Sequence, residues 1–308
     1  MAVLAQEHEV AQERVKKRRR SPATLLWRVA TYVLLIVGAV IFVGPFAWMV
    51  VASVQDIGDI FRYPPQWIPH NPTLENYRRF FREERIGRYL FNSAFVAVSI
   101  VILQTFFSSL AAYTFAKRQF PGRDFLFIAI LATMMIPGQV TIIPNYIILK
   151  HVPFFGDNNA LGNGGSGWLD TYWGLIVPHG ISAFTIFMLR QYMKTIPNDL
   201  LDAARVDGGS EFRIYAQIVM PLSRPALAAV AIFTFSYHWD EFYWPLIVVS
   251  SPDLRTLPLG LALFVVRNRT VWDLLMAGAV VATVPVLLVF LVFQRHFVRG
   301  IAMTGMKG

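Results

Sequence analysis

Residues 29–52 read VATYVLLIVGAVIFVGPFAWMVVA, without a single Asp, Glu, Lys or Arg. A helix rises about 1.5 Å per residue, and about 20 apolar residues cross the ~30 Å hydrocarbon core of a bilayer, so this run can span one. Four more uncharged runs follow, at 89–116, 125–149, 171–189 and 274–294. A sixth, 225–251, is interrupted only by Asp240 and Glu241. Strands of a membrane barrel alternate in polarity and end after roughly ten residues, unlike these runs. The expected fold is an all-α membrane protein with six transmembrane helices.

Composition agrees. The 308 residues are 55% hydrophobic and 15% charged, with a mean hydropathy of +0.48, whereas a soluble domain is about 25% charged. Twenty-five Phe and eight Trp exceed what one core with a polar shell buries. The lack of Cys removes disulfides, thiolate catalysis, iron–sulfur clusters and Cys-ligated zinc. A net charge of +9 is compatible with nucleic acid, but membrane proteins also gather Lys and Arg at their cytoplasmic edge. With the amino terminus inside, 18 basic residues fall on the cytoplasmic side and ten outside, six of those being Arg62, Arg78, Arg79, Arg82, Arg85 and Arg88. The block Lys16, Lys17, Arg18, Arg19, Arg20 just before the first run points to cytoplasmic termini, as a topology signal or solvated tail in a chain whose surroundings are membrane lipids and not nucleic acid. The first run is also longer than the 7–15 residues typical of a cleaved signal peptide.

The chain then divides into a basic cytoplasmic tail (1–24), a first transmembrane helix (25–52), an outer loop (53–88), a transmembrane core (89–294) with a cytoplasmic loop at 190–224, and a cytoplasmic tail (295–308). In the outer loop, four prolines precede an amphipathic helix expected over 73–85, capped by Thr73 and lying along the interface. The second outer loop, GDNNALGNGGSG at 156–167, superficially has calcium-loop spacing. Leu161 occupies a ligand position and no bidentate Glu follows, so a flexible loop is expected, without a metal.

The 190–224 loop is closely punctuated. Ile196-Pro197-Asn198 stops one helix and offers Asn198 as a cap for the next, which runs Asp199 to Asp207 and ends at Gly208. Ser210 caps a second short helix bearing Phe212, Tyr215 and Val219 on one face, until Pro221 breaks it. Two short helices at a Gly-Gly turn form a projecting knuckle, and Ala203 and Ala204 leave its surface open to close approach by another protein.

The run Asp202-Ala203-Ala204, Gly208 and Ile218-Val219-Met220-Pro221 resembles the EAA loop of permease subunits of binding-protein-dependent ABC importers. Asp202 replaces the usual Glu and Met220 the usual Leu. With IPNDLLDAARVDGG, MPLSRPAL, FTFSYHWDEFYWPL, TLPLGL and QRHFVRGIAMTGMKG, the chain from about Pro64 to Gly308 is similar to the MalG-like carbohydrate branch. The resemblance implies a MetI-like permease fold in the cell membrane of a bacterium or archaeon. It also implies a MalF-like second permease, two ABC ATPase subunits and an extracytoplasmic sugar-binding protein as partners. Asp199, Asp202, Ala203, Ala204, Gly208, Phe212, Tyr215 and Pro221 would then form the coupling surface for the ATPase. Gly305, Lys307 and Gly308 are similar to a tail that reaches the ATPase pair, although a free end beside anionic headgroups is an equal reading. The sequence has no G-x-x-x-x-G-K-[ST] loop, so ATP and Mg would belong to the partner ATPase, with no cofactor bound and no catalysis in this chain.

Trp239 to Glu241 lie roughly 21–24 Å into the bilayer from Pro225, a costly depth for acids. Their surroundings, Tyr237, His238, Tyr243 and Trp244, suit a sugar: aromatic faces cover its C–H face and carboxylates accept its hydroxyls. An interfacial aromatic belt with Asp240 or Glu241 bonded to a neighbouring helix remains equally open. Asn92, Gln104, Gln139, Asn145 and His179 read first as interhelical hydrogen-bonding groups. Pro137 and Pro144 suggest a kink, which adds Gln139 and Asn145 to the pathway candidates. A secondary transporter or channel is the leading alternative, and it lacks a cationic partner for the membrane acids.

Overall fold

The computed structural model describes residues 22–82, 85–266 and 269–304. The basic block at 16–20 and Gly305, Lys307 and Gly308 lie outside them. Three straight helices are long and apolar enough to cross a membrane: α1 (Pro22–Ser53), α4 (Ile86–Lys117) and α15 (Trp272–Thr304). α1 exposes apolar side chains all around, with none of its most hydrophobic stretch buried, as suits a lipid-facing rod.

Three more helix pairs are bent. α5 (Arg123–Thr133) and α6 (Gly138–Lys150) meet at 99°, α7 with its following 3₁₀ turn (Tyr172–His179) and α8 (Ala183–Lys194) at 40°, and the segment Glu211–Leu222 meets α12 (Arg224–Trp239) at 78°. Counting each pair as one crossing gives six. Pro137 stands at the first break, immediately before α6, whereas Pro144 lies inside α6.

α4 is the central post. Its buried face carries small and polar residues, Asn92, Ser93, Ala97, Ser108 and Ala112, which let α8 and α12 approach closely. The Tyr89 ring lies against Gly260 of α14 (Leu257–Leu261), where an added Cβ would come within 2.3 Å of it. Asn92 fastens the same post to the turn at 252–255, donating to the Asp253 and Arg255 carbonyls, and accepts from the Tyr172 hydroxyl.

Several expectations need correction. The run 225–251 is not one helix: α12 stops at Trp239 and α13 (Tyr243–Val248) starts anew. The expected interfacial helix is the shorter α3 (Glu75–Arg82), following the short α2 (Ile57–Ile60). Thr73 accepts from the Glu75 amide at its entrance. α3 buries Phe80 against α15 and pairs Arg79 with Asp273 at 2.7 Å.

The loop at 156–167 is tied down internally. Asn158 donates to the Lys150 and Val152 carbonyls and accepts from the Gly165 amide, while Asn159 accepts from the Leu161 and Asn163 amides. Both amides are thus engaged by backbone. Among the described residues no cluster of three or more His, Cys, Asp or Glu could hold a metal. A two-residue antiparallel ladder, Val265–Val266 against Arg269–Thr270, is the sheet content of the described residues.

Candidate functional site

The knuckle begins where Pro197 ends the turn after α8 and leads into α9 (Asn198–Val206). Asn198 does not cap this helix, because its side-chain oxygen accepts from Lys117 Nζ at 2.9 Å. Gly208 takes φ +80°, and the Gly209 amide donates back to the Ala204 carbonyl at 2.9 Å, closing the helix end. Ser210 then caps α10 (Glu211–Ile214) by accepting from the Arg213 amide. A π-helical turn (Tyr215–Val219) and a last turn, α11 (Met220–Leu222), follow. Pro221 does not break the segment; the chain turns at Ser223 instead.

Leu201, Ile214 and Val219 bury the inner face against Leu189 and Met193 of α8 and Ala112 and Tyr113 of α4. Of the residues expected on the coupling surface, Asp199, Asp202, Ala203, Gly208, Phe212 and Pro221 are exposed, Phe212 at 65%, and Ala204 is half-buried. Tyr215 is 4% exposed and faces inward, its hydroxyl sharing a 2.7 Å hydrogen bond with Ser109 on α4. It anchors the knuckle from beneath.

Glu211, which sequence reasoning passed over, is the hub. Its carboxylate accepts from the Tyr113 hydroxyl and Arg118 Nη1 at 2.6 Å each and from Arg205 Nε at 2.8 Å. Arg205 in turn bonds Asp202. The Arg205 hydrogen bond, followed by that from Tyr113, holds the Glu211 carboxyl below its ordinary range, and the same contact raises Arg205. One local signal existed: an acid in the first turn after a Ser cap. Tyr113 and Arg118 are 98 and 93 residues away in sequence, beyond any local pattern.

The second site is a crevice of about 600 Å³ where α4, the α7–α8 corner and α12 meet. Gln104, His179, Thr185, Thr234, Tyr237 and His238 supply its polar lining. Gln104 donates to Thr185 Oγ1 at 3.2 Å, bridging α4 and α8, and its Oε1 remains buried without a partner. The His179 ring lies tilted at 53° to that of His238, centres 4.8 Å apart, and its Nε2 is likewise buried and unpaired. A buried polar atom left unpaired costs about 1–3 kcal/mol.

The pathway candidates separate into distinct roles. Tyr237 borders the crevice and is largely exposed. Trp239 is 2% exposed, stacks on Phe235 and donates to the Ala282 carbonyl at 2.9 Å, fastening α12 to α15. Trp244 is buried and donates to the Gly174 carbonyl. Glu241 accepts from the Tyr243 and Trp244 amides, which starts α13 and explains the break in the run. Asp240 and Tyr243 are exposed. Gln139 is exposed and Asn145 half-buried on α6, and neither lines the crevice.

Up to six crossings, an exposed knuckle bonded to α4 and a crevice between α4, α8 and α12 describe a multi-pass helical membrane protein. Residues 88–303 match the family described as binding-protein-dependent transport system inner membrane component. The chain belongs to that family, as a multi-pass transport subunit of the ABC importer class and not an enzyme. It is 34% identical over 295 residues to an arabinooligosaccharides transport system permease protein of Halalkalibacterium halodurans, covering 95% of this chain and 100% of the relative. It is 33% identical to an sn-glycerol-3-phosphate transport system permease protein of Brucella abortus, covering 89% and 95%. A chain of a crystallised bacterial ABC transporter involved in import of the acidic polysaccharide alginate has the same fold, with a TM-score of 0.77 at 21% identity over 90% of this chain and 98% of that one. None of these supports the secondary-transporter alternative.

Proposed function

We propose that this chain is one transmembrane half of an ATP-driven carbohydrate importer in the cytoplasmic membrane of a bacterium or archaeon, with both termini in the cytoplasm. A second permease completes the pathway, two ABC ATPases using ATP and Mg dock below, and an extracytoplasmic binding protein delivers a di- or oligosaccharide. The arabinooligosaccharide relatives support the cargo class.

The observation that carries this reading is the knuckle: exposed at Asp199, Asp202, Ala203, Gly208 and Phe212, and bonded at its root to α4 through Glu211 and Tyr215. Movement of a docked ATPase is transmitted through Glu211 to α4 and through the Ser223 bend to α12. Both helices line the crevice, so a push that shifts one against the other alters its shape. The lever needs no chemistry of its own.

The Gly208 position tests it. An added Cβ there meets no atom within 4 Å, so a Gly208→Trp side chain projects outward and burdens the docking face, at a backbone cost of about 1–2 kcal/mol. The variant is expected to insert and still permit ATP hydrolysis while uptake in proteoliposomes falls at least about tenfold. Unchanged uptake would remove the knuckle from the mechanism.

A further inference from the structure

The crevice has a chemical signature of its own. Its largely apolar lining is set with uncharged polar side chains and bears no Asp, Glu, Lys or Arg, and two of its buried atoms, Gln104 Oε1 and His179 Nε2, lack partners. Gln104 is 94% buried, with 6% of its surface exposed, and is fixed by its bond to Thr185. A hydroxyl both donates and accepts, so it satisfies these atoms in either amide orientation and either imidazole tautomer. A phosphate or carboxylate only accepts, and at the buried Gln104 and His179 it would meet no countercharge in the lining. Tyr237 and Phe233 add aromatic surface along one wall, suited to the C–H face of a sugar ring. The volume falls within the range of small-molecule sites.

We infer that this subunit itself carries a solute subsite, selective for an uncharged sugar ring over an anionic one. Gln104 and His179 take the ring hydroxyls, Thr185 and Thr234 border them, and Tyr237 covers the apolar face. The inference rests on the importer reading. It separates this chain from relatives named for glycerol phosphate, although the overall fold is shared with a transporter for acidic alginate.

Because the chain contains no Cys, one introduced thiol is a unique reporter. Ser182→Cys and, separately, Thr234→Cys are placed in the crevice of the assembled importer whose other subunits are Cys-free, and the rate of alkylation by a neutral reagent is followed. Leu161→Cys, 81% exposed on the outer loop, serves as control. Neutral pento- and hexo-oligosaccharides up to trisaccharides are expected to slow modification of either crevice thiol about tenfold at saturation. Glucuronate and sn-glycerol 3-phosphate are expected to leave it unchanged, and the control is expected to respond to neither class. Adding Gln104→Leu raises the half-protecting concentration of the neutral sugar about tenfold. Equal or better protection by the anions, or protection by none of the sugars in a complex that hydrolyses ATP, overturns the subsite while leaving the importer reading intact. A chain that never co-purifies with an ATPase overturns the importer reading instead.

Discussion

Gln104 and Tyr113 lie roughly 14 Å apart along the same helix, α4, and their surroundings are opposite in kind. At Tyr113 the root of the knuckle is rich in charge, and its central acid is saturated: Glu211 has Tyr113, Arg118 and Arg205 around it, and Tyr215 has Ser109. At Gln104 the crevice holds no charge, yet buried polar atoms stand unpaired. Saturated bonds make a stiff joint able to transmit force. Open bonds suit a place that must accept and release a visitor. On the function proposed above, a single helix serves as shaft at one end and as wall of a binding chamber at the other.

Five substitutions probe this contrast. Trp239→Ala has the largest expected effect, because truncating a buried aromatic costs about 3–5 kcal/mol in a packed core. It should lower the melting temperature of the purified complex markedly, whereas Tyr237→Ala at the exposed crevice edge should leave that temperature in place; equal losses would erase the distinction between scaffold and chamber. Glu211→Gln comes next. It leaves two guanidinium groups short of their acid, and because the cluster is about one-third to one-half exposed, screening limits the loss to about 1–2 kcal/mol. Uptake should fall with insertion unchanged and ATP hydrolysis retained.

The same cluster fixes a pH dependence. Glu211 titrates below its ordinary range when folded, so its contribution is complete above the unfolded carboxylate range and is lost as pH falls through the depressed value. Coupling of hydrolysis to uptake should therefore not change through this residue between neutral and mildly acidic pH, and hydrogen exchange of the knuckle amides should rise only in stronger acid.

The final pair of substitutions has opposite signs. Gln104→Leu removes a buried polar end that lacks full pairing, so thermal stability should stay level or rise by about 1 kcal/mol even as sugar protection weakens. Tyr215→Phe removes a hydroxyl that is bonded, and stability should drop by about 1 kcal/mol. Two losses from Gln104→Leu and Tyr215→Phe alike would show that the crevice is as saturated as the joint.

The straight spans were legible because length and absence of charge suffice to define them. The bends were legible only where proline marks them, as at Pro137. The interruption after Trp239 was not, since Asp240 and Glu241 read as acids within a rod; the structure uses Glu241 to cap a new helix. The knuckle's order of helix, glycine and helix was readable, but not its anchorage, which depends on residues nearly a hundred positions away. Asn158 shows the same limit at the outer loop: a Gly- and Asn-rich stretch reads as slack, yet one side chain ties both of its ends.

The right-angled elbow between Thr133 and Gly138 carries a further implication. Each arm is 11 or 13 residues long, roughly 16–20 Å, too short to cross the hydrocarbon alone. The corner nonetheless keeps its amides engaged: those of Met134, Met135 and Ile136 donate to the Leu131, Ala132 and Thr133 carbonyls, three residues back, in tighter turns than the helix they end. With Met134, Met135 and Ile136 exposed, the elbow turns an apolar face outward without leaving those amides open, so lipid tails or a neighbouring helix can cover it equally well.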